Sequence, residues 1–563
     1  MREMTEQRAA AAEIVDLALK PKPELTIHSG NLPATAEALR DLLAASGKLF
    51  ERDLPVRIIR SADGGPPSAR LLTRHNVVIE AHHLCQPMKI DRNGNLIPVT
   101  LPDRVAQMYL DMSGEWNLPA LSGINTSPLL SADGSVRAAD GYDRATGMWC
   151  CNVPKLRLPV RPSRANAEEA LGLLRQTFRT FPFGDAVRCW DPSVGIEVID
   201  IAKPPGRDES AFLIALVTAV CRPSLWLAPG LIIVAPAMSG AGTGKGLLVR
   251  SICAIAFGIR PRAFTTGGER HELDKWLAAE LIEAQPALFL DNANGIALRS
   301  DTLASVLTER PARVRLLGQT RMVLLNSAAF VALTGNGLTV TEDLARRFVF
   351  CRLDAHCEDP ELRAFPTGFF EQIEQRHSEL LAAVLTIWRW GRQNATGLTR
   401  GKPLGSFERW AEWCRDPFVT LGCRDPVERI ESLKANDPRR QRIADLFRIW
   451  WEQHGAAPIK ANQLADTVKA IIDPQGRGRQ YLATFLSGIT GTHAAGFVLT
   501  RQEPAGKWAA ATYVLTKAAP LGVTGHRTDR TDRPYPEAPM SPMGPMPDAI
   551  DGDVVPPGAE TEI

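Results

Sequence analysis

One short run constrains this chain more than any other. Leu231-Ile-Ile-Val-Ala235 is apolar over the length of a strand, and Leu247 to Phe257 reads as a helix. Between them lies Met238-Ser239-Gly240-Ala241-Gly242-Thr243-Gly244-Lys245-Gly246. Strand, glycine-rich turn and helix in that order is the setting a phosphate-binding loop requires. Glycines let successive backbone N–H groups converge on phosphate oxygens, and the helix N-terminus adds its positive dipole. Lys245 would add a full charge at the β and γ positions. An ordinary glycine-rich turn is the competing reading, and the Gly-x-Gly-Lys core in this setting speaks against it. The candidate cradle is Ser239, Gly240, Ala241, Gly242, Thr243, Gly244, Lys245, Gly246 and Leu247. It departs from the usual pattern twice. Ser239 stands at the first glycine, and Gly246 stands where a Ser or Thr hydroxyl would meet Mg²⁺. The ion often keeps several waters, so phosphates, water and an acid could still hold it.

Further motifs follow in the order such a site needs. Ala287-Leu-Phe-Leu290-Asp291 is an apolar strand ending in an acid, 46 residues after Lys245, suited to a metal and its water. Its neighbour Asn292 can orient water but cannot accept a proton. Glu269 and Glu272 are weak candidates for the missing base, with a charged helix face, Glu272 pairing with Lys275, as the alternative. Ala329-Phe-Val-Ala-Leu333 leads to Thr334-Gly-Asn336, 45 residues beyond Asp291. Asn336 there reads as a sensor of the γ-phosphate, or as a plain turn asparagine. Arg346 and Arg347 come ten residues later and suit an arginine finger, without the sequence saying which.

From about Ala211 to Leu353 helices and strands alternate, the signature of a parallel sheet covered by helices. The expected fold is therefore α/β: a P-loop ATPase core with helices on both faces of its sheet, an N-terminal α+β domain and a C-terminal winged-helix domain. The expected boundaries are 1–165, 166–358, 359–435 as a helical connector, 436–517, and a disordered tail over 518–563. Nine of the 42 prolines fall in that tail, which is too polar to offset its ordering entropy. Within the first domain, Asn76-Val-Val-Ile-Glu80 reads as a β-like run, with turns at Asp91–Gly94 and Asp133-Gly134. Ala167 to Phe181 reads as a helix ended by Pro182.

At 563 residues the chain is long enough for about three or four domains. Its net charge of +2 excludes a uniformly basic nucleic-acid coat, so any DNA contact must be local. Ten scattered cysteines without CxxC pairs argue for a reducing compartment, and cytoplasm is expected. The N-terminus lacks the apolar core of a signal peptide, and no run is long enough to span a bilayer.

Ser239–Gly246, Leu290-Asp291-Asn292, Thr334-Gly-Asn336 and Asp343-Leu-Ala-Arg346-Arg347 together resemble the primase-helicase ATPases of phages, plasmids and integrative elements. These are related to superfamily 3 helicases and more distantly to the AAA+ class. The resemblance extends upstream through Leu121–Ile124 and Gly141–Asp143, and downstream through Leu404–Trp410 and Leu421–Pro426. It covers roughly 120–430. The core from Ser239 to Arg347 spans about 109 residues, nearer the superfamily 3 layout than a full AAA+ module. No primase-type catalytic cluster stands in residues 1–160, so the resemblance implies the helicase half, with any primase a separate partner. It also implies ATP and Mg²⁺ as cofactors, Asp291 as the metal's ligand, and a homo-oligomeric ring, commonly a hexamer. The implied activity is ATP-dependent DNA translocation serving a mobile element. A nucleotide-switched replication initiator with slow hydrolysis is the alternative, which Gly246 and Asn292 favour.

Such motors resemble one another in having a β-hairpin reaching into the pore. Arg313 to Leu325 reads as strand, turn, strand, with Arg313, Arg315 and Arg321 as its cations. They would grip single-stranded DNA by its phosphates, or pair with a neighbouring subunit's acids. Downstream, Ile443, Leu446, Phe447 and Trp450 mark one helix, Leu464, Val468 and Ile471 a second, and Arg477-Gly-Arg479-Gln-Tyr481 opens a third. A hairpin from Phe497 to Leu515 completes a winged-helix pattern, with Arg477 and Arg479 placed to meet duplex DNA. Trp388, Trp390, Trp410 and Trp413 are read as packing between the ATPase and this last domain rather than as base-stacking groups. The spacings of His82-His83-Leu-Cys85 and Cys150-Cys151 are poor for zinc.

Overall fold

A computed structural model of the chain describes residues 22–60, 66–265, 270–294, 297–298, 300–315, 321–363, 365–429, 438–502, 510–517 and 560–562. Contacts divide it into two units, Met1–Ile430 with Gly558–Ile563, and Glu431–Pro557.

The heart of the first unit is a five-stranded sheet. A helix, α1 (Arg164–Phe178), leads in; its N-cap Ser163 and Asn166 exchange a capping box. It starts three residues earlier than the apolar pattern suggests, because that box fixes the start. Helix α2 (Arg207–Cys221) is buried on nearly every face. Then follow β1 (Gly230–Ala235), α3 (Lys245–Phe257), β2 (Ala263–Thr265), α4 (Arg270–Ile282) and β3 (Ala287–Asp291). After them come α5 (Asp301–Thr308), the hairpin β4 (Ala312–Arg315) and β5 (Met322–Leu325), β6 (Phe330–Asn336) and β7 (Phe348–Arg352). The sheet runs β2-β3-β6-β1-β7 and every pair is parallel. Strands buried on both faces read as continuous apolar runs, as Leu231–Val234 and Phe330–Leu333 do. In such a sheet the loops beyond the carboxyl ends of the strands form the natural ligand crevice.

Helix α6 (His377–Gln393) packs against α1 and α7 (Asp416–Thr420) follows a π-helical turn at Ala411–Arg415. The four tryptophans lie here. Trp388, Trp390, Trp410 and Trp413 are at most 5% exposed and belong to the first unit's own core, with Trp410 Nε1 donating to Thr218 Oγ1 of α2 at 2.8 Å. They are packing residues, as expected, but the core they belong to is the first unit's own. Trp388 and Trp413 pack on each other there, with ring centroids 5.6 Å apart.

In the N-terminal part the turns at Asp91–Gly94 and Asp133-Gly134 form, with φ of 85° and 89° at the two glycines. The expected strand at Asn76–Glu80 is instead inside a helix, Arg74–Leu84. Thr73 and Asn76 cap it reciprocally, and Val77 and Ala81, four apart, bury one face. The capping box outweighs the β-branched residues. Of the expected tail, 518–559 lies outside the described residues, while Glu560–Glu562 pairs with Arg157–Pro159 as an antiparallel strand.

Among the described residues the second unit has three α-helices, α8 (Pro438–His454), α9 (Asp466–Ile472) and α10 (Arg479–Gly488). With them goes a four-stranded sheet, from Ile459–Lys460, Thr512–Lys517, Phe497–Gln502 and His493–Ala494 in that spatial order. Leu446, Phe447, Trp450, Val468, Leu486 and Leu515 form its core.

Candidate functional site

The loop between β1 and α3 ends in a backbone turn that only glycine takes comfortably. Gly244 has φ 89°, and a Cβ there would lie 2.8 Å from Phe181 Cε1. Helix α3 starts at Lys245 with no side-chain cap, so its first N–H groups face the loop as ready anion donors. Lys245 is 7% exposed. Its Nζ donates to Gly240 O at 2.6 Å and to Thr243 Oγ1 at 3.2 Å, and Thr243 Oγ1 donates to Gly240 O at 2.9 Å. Burial pulls the Lys245 ammonium down to about 8, with the Asp291 charge opposing that pull. Among the described residues no carboxylate lies within ion-pair distance of it. A buried cation held only by a carbonyl and a hydroxyl lacks its countercharge. Ser239 and Leu247 are half-buried, Ala241 and Gly242 exposed, and the Glu361 backbone closes on Gly242.

Sheet order brings the other groups to this loop. Strand β6 lies between β1 and β3, pairing Ala235 with Asn336 on one side and Leu290 with Leu333 on the other. Thr334 therefore comes level with Asp291 and donates its hydroxyl to Asp291 Oδ1 at 2.5 Å. The same hydroxyl accepts from the Asn292 N–H at 3.2 Å. Asn292 has φ 58°, the left-handed region that asparagine tolerates. Asn336 closes β6 as a strand residue. Its N–H donates to Asn294 Oδ1 at 2.7 Å, and its own Oδ1 is buried with no hydrogen-bond partner in the structure. That oxygen faces the loop, for a Cβ on Gly240 would lie 2.4 Å from it. Thr334 and Asn294 received no role from the sequence. The Thr334-Gly-Asn336 run contained the first, but only the register with β3 gives it a partner.

The acid's other oxygen faces α3. A Cβ added at Gly246 would lie 3.5 Å from Asp291 Oδ2 and 2.7 Å from Arg250 Nη1. Arg250 Nη2 stands 3.7 Å from Asp291 Oδ2, and its guanidinium lies over the Phe289 ring at 5.4 Å. Arg250 was not singled out in the sequence, where it is a lone cation within a largely apolar run. Cradle, Asn336 and Asp291 are thus brought together.

The arginine pair is elsewhere. The Arg347 carbonyl accepts from Gly230 N–H at the first residue of β1. A strand rises about 3.3 Å per residue, so the pair sits ~20 Å from the loop at the far end of the sheet. The Arg347 guanidinium donates to Ala304 O at 2.6 Å and to Thr308 Oγ1, both on α5, whereas Arg346 is exposed. Glu272 pairs with Lys275 at 2.6 Å, and Glu269 lies outside the described residues. In the hairpin, Arg313 and Arg315 occupy the exposed face opposite Leu324 and Met322, while Val314 and Val323 point inward. Arg321 stands 3.7 Å from Asp53 Oδ2, and the tip, 316–320, lies outside the described residues. In the second unit Arg479 is the first residue of α10 and exposed. Arg477 precedes that helix, lying over Tyr481 at 4.7 Å and bonding Gln475 Oε1. No group of three His, Cys, Asp or Glu side chains poised for a metal occurs among the described residues. No helix among them is long and apolar enough to cross a membrane.

No family model matches the chain, and no curated protein matches it either. Among solved structures, two of the NrS-1 C-terminal region align with 84% and 60% of this chain and 98% and 84% of their own. Their identities are 12% and 13% and their TM-scores 0.33 and 0.29. A JCV helicase structure with a thiazolopyridine-containing acetamide bound aligns over 40% of this chain and 59% of its own, at 11% identity and a TM-score of 0.19. Likenesses this distant fix neither family nor activity.

Proposed function

We propose that the loop Ser239–Leu247 holds the triphosphate of ATP, and that the chain is an ATP-dependent DNA translocase or helicase serving replication of a mobile element. The observation that carries this is Lys245, a buried cation without a countercharge at the start of an uncapped helix. Phosphate oxygens would take the place of the Gly240 carbonyl and supply the missing negative charge. Asn336 would donate its amide N–H groups to the γ-phosphate, and its unpartnered Oδ1 would accept from the attacking water. Asp291, fixed by Thr334, would orient water through its carboxylate. Magnesium, when bound to the nucleotide, would neutralise phosphate charge, and of the expected ligands at this loop the described residues offer it Asp291, since Gly246 has no hydroxyl. Because Arg346 and Arg347 lie at the far end of their own sheet, an arginine finger from this pair would serve a neighbouring subunit. The exposed Arg313 and Arg315 would track single-stranded DNA in the pore of a ring. The second unit, read as a winged helix, would meet duplex through Arg477 and Arg479.

A second reading, a nucleotide-switched initiator, has its own support: Asn292 stands where a proton-accepting carboxylate would serve hydrolysis. ATP turnover measured with and without single-stranded DNA separates the two. DNA-stimulated turnover of about one per second or more supports the motor, and tight binding without turnover supports the switch. Lys245→Met is expected to lose at least about a hundredfold in nucleotide affinity, two charge-assisted contacts' worth, with the fold intact by circular dichroism. Unchanged affinity in that variant would remove the cradle from the proposal.

A further inference from the structure

Gly246 and Arg250 are one helical turn apart on α3, so their Cα–Cβ directions share a face. Gly246 presents no atoms there, and the Arg250 guanidinium fills the gap. It is 3.7 Å from Asp291 Oδ2 and lies over the ring of Phe289 at 5.4 Å. Phe289 and Asp291 are two apart on β3 and share a face of the strand. The guanidinium is therefore held between an acid and an aromatic ring of one strand, beside the second residue of the helix that carries Lys245. Any side chain at 246 would collide with it, its Cβ lying 2.7 Å from Nη1. A guanidinium stays charged at every working pH and presents a donor fork matched to both carboxylate and phosphate oxygens. A divalent ion reaching Asp291 Oδ2 would have to displace it, with no hydroxyl at 246 to help hold the ion.

We propose that Arg250 supplies, from within the chain, the positive charge that bridges Asp291 and the bound phosphates, so that nucleotide binding depends little on a divalent ion. This rests on the nucleotide reading above. The glycine at 246 is then the condition that admits Arg250.

The test is calorimetric titration of the full chain with AMP-PNP, in excess MgCl₂ and in excess EDTA. The wild-type protein is expected to bind with affinities within about threefold in the two buffers, a change worth less than one charge-assisted contact. Arg250→Gln should lose about tenfold or more in EDTA and recover in MgCl₂, the ion now having Asp291 to itself. Gly246→Ser, which pushes the flexible guanidinium aside, should make binding metal-dependent in the same way, and it keeps every charge in place should Arg250→Gln fold poorly. A hundredfold loss for the wild type in EDTA, or Arg250→Gln binding as well as wild type there, overturns the role of Arg250 and leaves the cradle standing. Absence of binding by the wild type in both buffers removes the nucleotide reading and this proposal together.

Discussion

Lys245 shows how burial and charge set the behaviour of one residue. Its ammonium is drawn down to about 8 by burial, from about 10.4 in an unfolded chain. Below pH 8 it is charged in both states, and folding carries the full cost of burying that charge. As pH rises from about 8 toward 10.4 the unfolded chain holds the proton that the folded one has released, so this residue's contribution turns more favourable to folding. Nucleotide binding runs the opposite way. An anion on the loop needs the charged form, so affinity should be flat below pH 8 and fall above it, by up to about tenfold per pH unit. Titrations between pH 7 and 9.5 check this, and in Lys245→Met the decline should disappear. The same cost predicts that Lys245→Met unfolds at a higher temperature than wild type at pH 7, since functional sites commonly sacrifice stability.

At the scale of elements, the hairpin β4–β5 is amphipathic across its thickness. Val314 and Val323 are 2% exposed and hold it to the body, while Arg313 and Arg315 stand outward beside Leu324 and Met322. Arg321 is drawn toward Asp53, 3.7 Å from its Oδ2. The double variant Arg313→Ala, Arg315→Ala should weaken single-stranded DNA binding. Its log–log salt slope should shrink by about 1.4, two phosphate contacts at ~0.7 each. Arg321→Ala should shift the slope less. An unchanged slope in the double variant would assign this face to another partner. Exposed arginines next to exposed leucine and methionine suit a strand whose phosphates and bases are both presented.

For the whole molecule, the decisive distance is the length of β1. It separates the loop at one end of the sheet from Arg346 and Arg347 at the other, so a single chain cannot bring them to one phosphate. Arg346→Ala should therefore bind nucleotide as wild type does, yet turn ATP over about a thousandfold more slowly if it acts as a finger. Mixing Arg346→Ala chains with Lys245→Met chains should restore part of the turnover. In a mixed assembly of the proposed kind, the intact loop of one chain would meet the intact arginine of another. Failure of the mixture to regain turnover would count against a shared site.

The sequence alone determined the strand, loop and helix around Lys245, the acid at the end of β3 and the alternation that makes a parallel sheet. Each is written in contiguous residues: an apolar run, a glycine at a positive φ, a period of 3.6. It misjudged Asn76–Glu80, where a cap outweighed β-branching, and it set the tryptophans between the ATPase and the last domain, whereas they belong to the first unit's own core. Only tertiary structure decided that β6 lies between β1 and β3, which brings Thr334 to Asp291 and Asn336 to Gly240. Only it set Arg250 in the gap at Gly246, and the arginine pair a full strand from the loop. Strand order and register join residues dozens of positions apart, and no local pattern of side chains records which strand will lie beside which.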